Sequence, residues 1–321
     1  MSDITIATDA KEKLSANAFT KTGYDFVGWA ETENGSKVYS DGDSYTMGTE
    51  NAMLYALWTP KTYKITYNLT GGQLAVQNKA TYNIETSTFT LNNPTKRGYE
   101  FKGWSGSNLN GNENQAVSIE TGNYGELTFT ANWTAIEYSI TYNLNEGTNN
   151  SANPKTYTVE QEVRLQDPER KGYKFSGWTD NGLISKDSIG EKTFTASWEI
   201  IEYNVIYNLE GGTNDSSNPT KYNVNTPKIT LKAPTKLGYK FIEWTNGGII
   251  ENGSTGDKSF TAKWEIVTYK ITYNLDGGTN NKNNPATYSV HDNITLAEPT
   301  KNGYKFIGWS DNVEIPVNST G

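Results

Sequence analysis

The heptad Gly-Tyr-x-Phe-x-x-Trp occurs five times, at residues 23–29, 98–104, 172–178, 238–244 and 303–309. A chain built this way is an array. The heptads start 75, 74, 66 and 65 residues apart, a period longer than that of most solenoids and close to the size of a small domain with a core of its own. All nine tryptophans fall on two repeat positions. One is the heptad Trp (Trp29, Trp104, Trp178, Trp244, Trp309) and the other a second Trp further on (Trp58, Trp133, Trp198, Trp264). No Trp is left over for a private site.

Units of about 65 residues bury only about 60% of their unfolded surface, so heavy use of Tyr, Phe and Trp supplies large apolar area per residue. The chain has no cysteine, which removes disulfides, thiol catalysis and thiolate metal sites. Its net charge of -8, with no run of Lys or Arg, argues against a nucleic-acid partner and against anionic membranes. No apolar stretch approaches the ~18 residues a membrane span needs, and Met1-Ser2-Asp3-Ile4 lacks the basic start of a signal peptide. On these grounds the chain is either intracellular or a piece of something larger.

Each repeat reads as a series of short strands. Tyr269, Ile271, Tyr273 and Leu275 alternate with Lys270, Thr272 and Asn274, the pattern of a half-buried strand. The same pattern spans 63–69, 138–144 and 203–209. Gly71-Gly72, Gly211-Gly212 and Gly277-Gly278, replaced by Glu146-Gly147 in one unit, then give a positive-φ turn. A polar stretch follows, with Asn153-Pro154, Asn218-Pro219 or Asn284-Pro285, and with Lys79 in place of the proline in the second unit. Short strands are expected around Tyr157, Tyr222 and Tyr288 and before Leu91, Leu165, Leu231 and Leu296, each stopped by a proline (Pro94, Pro168, Pro234, Pro299). After the heptad strand comes a closing strand, 129–133 and its equivalents 194–198 and 260–264, with Phe, Ala and Trp facing inward. The two tryptophans lie 29 residues apart in the first two units and 20 in the next two, so one connection tolerates about nine extra residues. Helical periodicity is absent; at most one short helical turn per unit is expected, in the polar stretch after the Gly pair. The linkers 59–62, 134–137, 199–202 and 265–268 reach at most ~14 Å, so neighbouring units must touch.

The order Tyr-x-Ile-Thr-Tyr-Asn-Leu-x-Gly-Gly, then Pro-Thr-Lys-x-Gly-Tyr-x-Phe-x-Gly-Trp, then a closing strand, resembles the Listeria–Bacteroides repeat, also called the internalin B-type B-repeat. The match is clearest at 299–309 and in the first unit's 54–58. The resemblance implies a mainly β chain of small tandem β-grasp-like (ubiquitin-like) sheet domains forming an elongated rod. It also implies a place in stalks and adhesins of secreted or cell-wall-anchored bacterial surface proteins, with no catalytic residues to carry over. This chain departs from the pattern at Phe19 (for Pro), at Glu243 (for the heptad Gly) and in its Phe-Thr-Ala-x-Trp closings. The expected units are 1–60 (partial), 61–135, 136–200, 201–266 and 267–321, the last without its closing strand.

No residue stands out as catalytic, cofactor-binding or metal-binding, and no cofactor is expected. His291 is the only histidine and reads as a solvated loop residue, since a base needs partners. Asp41-Gly42-Asp43 lacks further oxygen ligands at alternate positions and reads as a turn. The carboxylates scatter over linkers and loops, which does not suit a glycosidase pair. The aromatics read as core rather than as a sugar platform, and the lysines lie on polar faces, unsuited to a buried Lys–Asn isopeptide bond. The reading is therefore a non-enzymatic stalk or fibre segment of a bacterial cell-surface or cell-wall protein, on the order of 130 Å long from compact-domain scaling. The alternative is an adhesin module that recognises a host glycan or protein. The first unit lacks its opening strand and the last its closing strand, which reads either as an excerpt of a longer protein or as ends built for head-to-tail self-association by strand complementation, with Ile4-Thr5-Ile6 as the donor.

Overall fold

The computed structural model describes residues 1–311 and 313–321, and among them the chain is almost entirely short β-strands, with no α-helix. Contacts divide it into two compact units, one of 1–141, 154–164 and 183–192, the other of 142–153, 165–182 and 193–321. The division passes through the third repeat.

In the first unit, the second repeat shows the whole pattern. Its opening strand Tyr63–Asn68, the short strand Thr81–Tyr82, the heptad strand Tyr99–Gly106 and the closing strand Leu127–Ala135 form one four-stranded sheet. The spatial order is 81–82, 63–68, 127–135, 99–106. The opening and closing strands lie side by side in its middle and run parallel, with Ile65 opposite Leu127 and Asn68 opposite Thr130. The heptad strand pairs antiparallel on the far side. A separate pair joins Phe89–Thr90 to Ser118–Ile119. The first repeat has its heptad strand Tyr24–Ala30 on the closing strand Tyr55–Pro60, and Lys11–Lys13 on Ser44–Thr46. Residues 4–6, the segment expected to donate a strand to another chain, lie outside any strand within this one.

In the second unit, the fourth repeat copies this plan with Lys221–Tyr222, Tyr203–Asn208, Lys258–Ile266 and Tyr239–Trp244, again with a parallel central pair. In the fifth repeat, Tyr269–Lys270 pairs with Thr287–Tyr288 and Ile294–Thr295 with Glu314–Ile315. Its heptad, 303–309, is outside any ladder among the described residues. The helical turn expected after the Gly pair is not there. Those polar stretches fold around an Asn: Asn218 is buried, donates to Asn214 and to the Lys232 carbonyl, and accepts from the Lys232 amide. Asn284 makes the same three bonds, and Asn78, ahead of the anomalous Lys79, bridges the backbone of Asn92. Short turns lie instead just after the heptad Trp, at Thr179–Gly182 and Thr245–Gly248, with Asp180, Asn181, Asn246 and Gly247 in the left-handed region at φ of 51–71°.

The core of the second repeat gathers Ile65, Tyr82, Leu91, Trp104, Val117, Ile119, Leu127, Phe129 and Ala131, and that of the fourth gathers Val205, Tyr222, Leu231, Trp244, Ile250, Phe260 and Ala262. The heptad tryptophans of the first four repeats are core residues, with Trp104 fully buried, while Trp309 is half-buried. The closing tryptophans are not: Trp133 and Trp264 only flank their clusters. Each donates its indole N–H to the carbonyl that ends the opening strand, Leu69 at 3.1 Å and Leu209 at 3.0 Å. Trp198 does the same to Leu144 at 2.9 Å. The ring lies over the second glycine of the turn, where a side chain would overlap it at Gly147 and Gly212.

The heptad spacing encodes a β-bulge. In a regular strand residues three apart face opposite ways, yet Phe and Trp of the heptad share a face. Their rings meet edge to face at 5.1–5.6 Å in all five copies. In the four paired copies the register slips by one residue between them, leaving Val27, Lys102, Ser176 and Ile242 without a cross-strand partner. The residue after the slip is Gly28, Gly103 or Gly177 at φ of 140–152°, but Glu243 in the fourth repeat. Loop length explains the exception. In the two long-loop repeats the connection folds back on the bulge, Trp29 N–H reaching the Tyr39 carbonyl and Trp104 N–H the Asn114 carbonyl, both at 2.8 Å. A side chain on Gly28 would strike Tyr39, and one on Gly103 would strike the backbone of Glu113 and Asn114. Around Gly177, in a short-loop repeat, there is open space. Gly103→Glu is therefore expected to cost about 3 kcal/mol or more by overpacking. Gly177→Glu, which meets open space and carries only the strain of its positive φ, should cost less, about 1–3 kcal/mol. Equal losses in denaturant titrations would show that backbone conformation alone selects the glycine.

Candidate functional site at the joints between repeats

The isolated polar candidates resolve into local structure. Asp41-Gly42-Asp43 is a turn in which Asp43 accepts from the Ser40 amide and Asp41 from that of Asn17. Among the described residues no three His, Asp or Glu side chains gather as a metal-binding group. His291 is exposed but not unpartnered: its Nε2 meets the Tyr239 hydroxyl at 2.5 Å. Sequence reading leaves it as a lone loop residue; the structure puts it at a joint.

That joint has three equivalents, two joints lying within each compact unit. The glycine that opens each heptad sits in the left-handed region, with φ of 71–78°, where a side chain costs about 1 kcal/mol or more. Gly23, Gly98, Gly172 and Gly238 are all buried. Covering them are Ile84, Val159, Val224 and Val290 of the following repeat, so near that a Cβ on Gly98 would lie 2.8 Å from the Val159 Cβ and one on Gly172 2.5 Å from that of Val224. The carbonyl of each glycine accepts from the linker, from the amides of Lys61, Ile136, Ile201 and Val267 at 2.8–3.0 Å. The next residue of the heptad, Tyr, reaches the residue that follows the covering Ile or Val. Tyr24 donates to Glu85, Tyr99 to Glu160, and Tyr173 accepts from Asn225. In the two Glu joints this bond to a carboxylate is the main reason the phenol pKa is raised. On its other face each Tyr ring carries a cation, Lys21, Lys96, Arg170 or Lys236, at 3.8–4.1 Å from the centroid.

The fifth heptad supplies an internal control. Gly303 has the same φ of 77° but is exposed, with nothing within 4 Å of a would-be Cβ, and Tyr304 is 73% exposed. At the four joints the glycine is buried and its tyrosine half-buried, whereas at the fifth heptad, which also lies outside any ladder, both are exposed.

The third repeat varies the cation. Lys96, Lys236 and Lys301 donate to the backbone carbonyls of Thr70, Glu210 and Asp276. Arg170 instead pairs with the side chain of Glu146, the residue that stands where the other repeats have glycine. Both changes occur in one repeat and meet each other.

The joint is testable against its own control. Gly98→Ala should destabilise the chain by about 1–3 kcal/mol more than Gly303→Ala, because both carry the left-handed strain but only Gly98 overlaps a neighbour. Val159→Ala should recover part of that loss, an interaction readable in a double-mutant denaturation cycle. Purely additive effects would disprove the contact.

Comparison with known proteins agrees with this repeat structure. The profile of the Listeria-Bacteroides repeat domain matches residues 2–57, 63–132, 138–197, 203–265 and 269–318. Two proteins of Evansella cellulosilytica are similar. One, provisionally described as a Gly-rich membrane protein, is 29% identical over 314 residues, covering 91% of this chain and 35% of that protein. The other, provisionally described as a membrane protein, is 28% identical over 283 residues, covering 80% of this chain and 40% of that protein. The chain thus spans well under half the length of either relative. Among solved structures, SHIRT domains 3–4 of a streptococcal cell-surface protein align over 41% of this chain and 99% of that one, with 12% identity and a TM-score of 0.19, too low to carry an argument. Five matched repeats that account for most of the sequence make this chain a member of the Listeria-Bacteroides repeat family.

Proposed function

We propose that this chain is a spacer segment of a bacterial cell-surface protein, extracellular and without enzymatic activity of its own. The observation that carries the proposal is the fourfold recurrence of one joint, built from a buried glycine, a linker amide and a tyrosine. Joints of this kind limit bending between neighbours, which is what a spacer requires and a set of independently tethered binding modules does not. The residue inventory supports the non-enzymatic part, since one histidine and no cysteine leave little for nucleophilic or acid–base chemistry. Among the described residues no helix is long and apolar enough to cross a membrane.

An adhesin module is the second reading. It is favoured by one feature, an open groove of about 610 Å³ in the third repeat lined by Arg170, Tyr173, Phe175 and Trp198. Aromatic faces beside a guanidinium suit a glycan. A finer form of the spacer reading adds self-association through strand complementation in the fifth repeat, where Ile307 is 97% exposed; its donor segment, residues 4–6, is free of ladder bonds.

Solution X-ray scattering tests the spacer. An extended array on the order of 130 Å long has a radius of gyration near ~38 Å, whereas a compact globule of this chain length has about 20 Å. A value near the smaller figure would refute the spacer. The same measurement across concentrations weighs self-association, which requires the scattering mass to exceed one chain.

A further inference from the structure

We propose that each complete repeat is a mechanical clamp, built to resist tension applied through its two ends. The opening and closing strands of a repeat are the segments to which the neighbouring linkers attach, and they lie parallel and adjacent in the middle of the sheet. Tension pulls the opening strand backwards by its first residue and the closing strand forwards by its last. Parallel neighbours pulled in this way slide along each other, so every ladder bond between them is loaded at once and none can open first. In the fourth repeat that ladder runs from Val205 opposite Lys258 to Asn208 opposite Thr261, and in the second from Ile65 opposite Leu127 to Asn68 opposite Thr130.

Side chains lock the same pair of strands beyond the ladder. The closing-strand indole holds the carbonyl that ends the opening strand, Trp133 to Leu69, Trp198 to Leu144 and Trp264 to Leu209. A second bond crosses beside it in two repeats: the Thr70 hydroxyl donates to the Ala131 carbonyl at 2.9 Å, and the Asn145 amide to that of Ala196 at 2.9 Å. These bonds join the last residues of the opening strand to the closing strand where the ladder ends. This explains why the second Trp of the repeat is retained in a position that is only half buried. The heptad strand, by contrast, pairs antiparallel with the closing strand, and pulling their adjoining ends apart would break that ladder one bond at a time.

The clamp relies on the spacer reading for its use in the cell, though not for its mechanics. A compact particle in scattering would remove the use and leave the clamp standing. The absence of cysteine allows the pulling direction to be chosen by placing thiols in the otherwise intact chain. In a single-molecule force experiment, Glu202→Cys with Glu265→Cys loads the fourth repeat in shear. Lys240→Cys with Glu265→Cys loads it by peeling, since Lys240 and Glu265 face each other across the antiparallel ladder. All three positions are exposed, so the folded state should tolerate the thiols. Forced unfolding reports the barrier along the pulled direction, and the shear pair should need several-fold more force than the peeling pair. Trp264→Phe keeps an aromatic ring against Phe241 and removes the N–H, and should lower the shear force by a larger fraction than the peeling force, which the Phe241–Trp264 ring contact enters. Equal forces in the two geometries would overturn the clamp, and an unchanged shear force in Trp264→Phe would remove the indole from it.

Discussion

One strand carries both the inside of each repeat and its connection to the next. The heptad can do this only because of the extra residue between Phe and Trp. With the bulge, Tyr, Phe and Trp lie on one face; without it, Trp would point to solvent and the core would lose its most buried ring. The beginning of the same strand, Gly and Tyr, is then left at the edge of the sheet, where the following repeat seats itself on the bare glycine Cα and engages the phenol. Core formation thereby places the docking surface for the neighbour. Neither could shift by one residue without breaking the other.

The differences between repeats follow from this arrangement. Glu243 replaces a bulge glycine in a repeat whose short connection leaves the position uncovered, whereas the long connections of the first two repeats lie against Gly28 and Gly103. Glu146 replaces a turn glycine in the one repeat that has Arg170 to pair with it. At the joints, Glu85, Glu160, Asn225 and His291 are four solutions to one demand, a polar partner for the tyrosine hydroxyl. Each exchange stays within a local contact and leaves the glycine, the covering Ile or Val and the linker amide untouched.

Much of this is legible in the residues alone. Period-two alternation identifies the opening and closing strands, because one face of each meets a core and the other meets water, as Ile65 against Lys64 and Thr66 illustrates. The bulge is legible in principle too: two residues between Phe and Trp cannot place both on one face of a regular strand. Tryptophan burial is only half readable, since Trp133 and Trp264 sit at the end of the inward face and cap a turn glycine instead of entering the core. A helical turn after the Gly pair is a fair reading of a polar Asn-Pro stretch, but the buried Asn side chain takes the backbone bonds that a helix would need. The joints are the least legible part. Their partners lie 52 to 61 residues apart, and His291 looks solitary until its place is matched with Glu85 and Glu160. The signal was the constant offset of those residues from an Ile or Val, which only a repeat-by-repeat alignment exposes.

The claim that core and connection form one structure is tested most directly by native-state hydrogen exchange at the linker amides of Lys61, Ile136, Ile201 and Val267. Each is bound to a heptad glycine carbonyl, so each should exchange only when the joint opens and show protection close to that of the adjoining closing strand. Exchange of these four amides at the rate of freely exposed loop residues would contradict the account, leaving the repeats as independent beads on a flexible string.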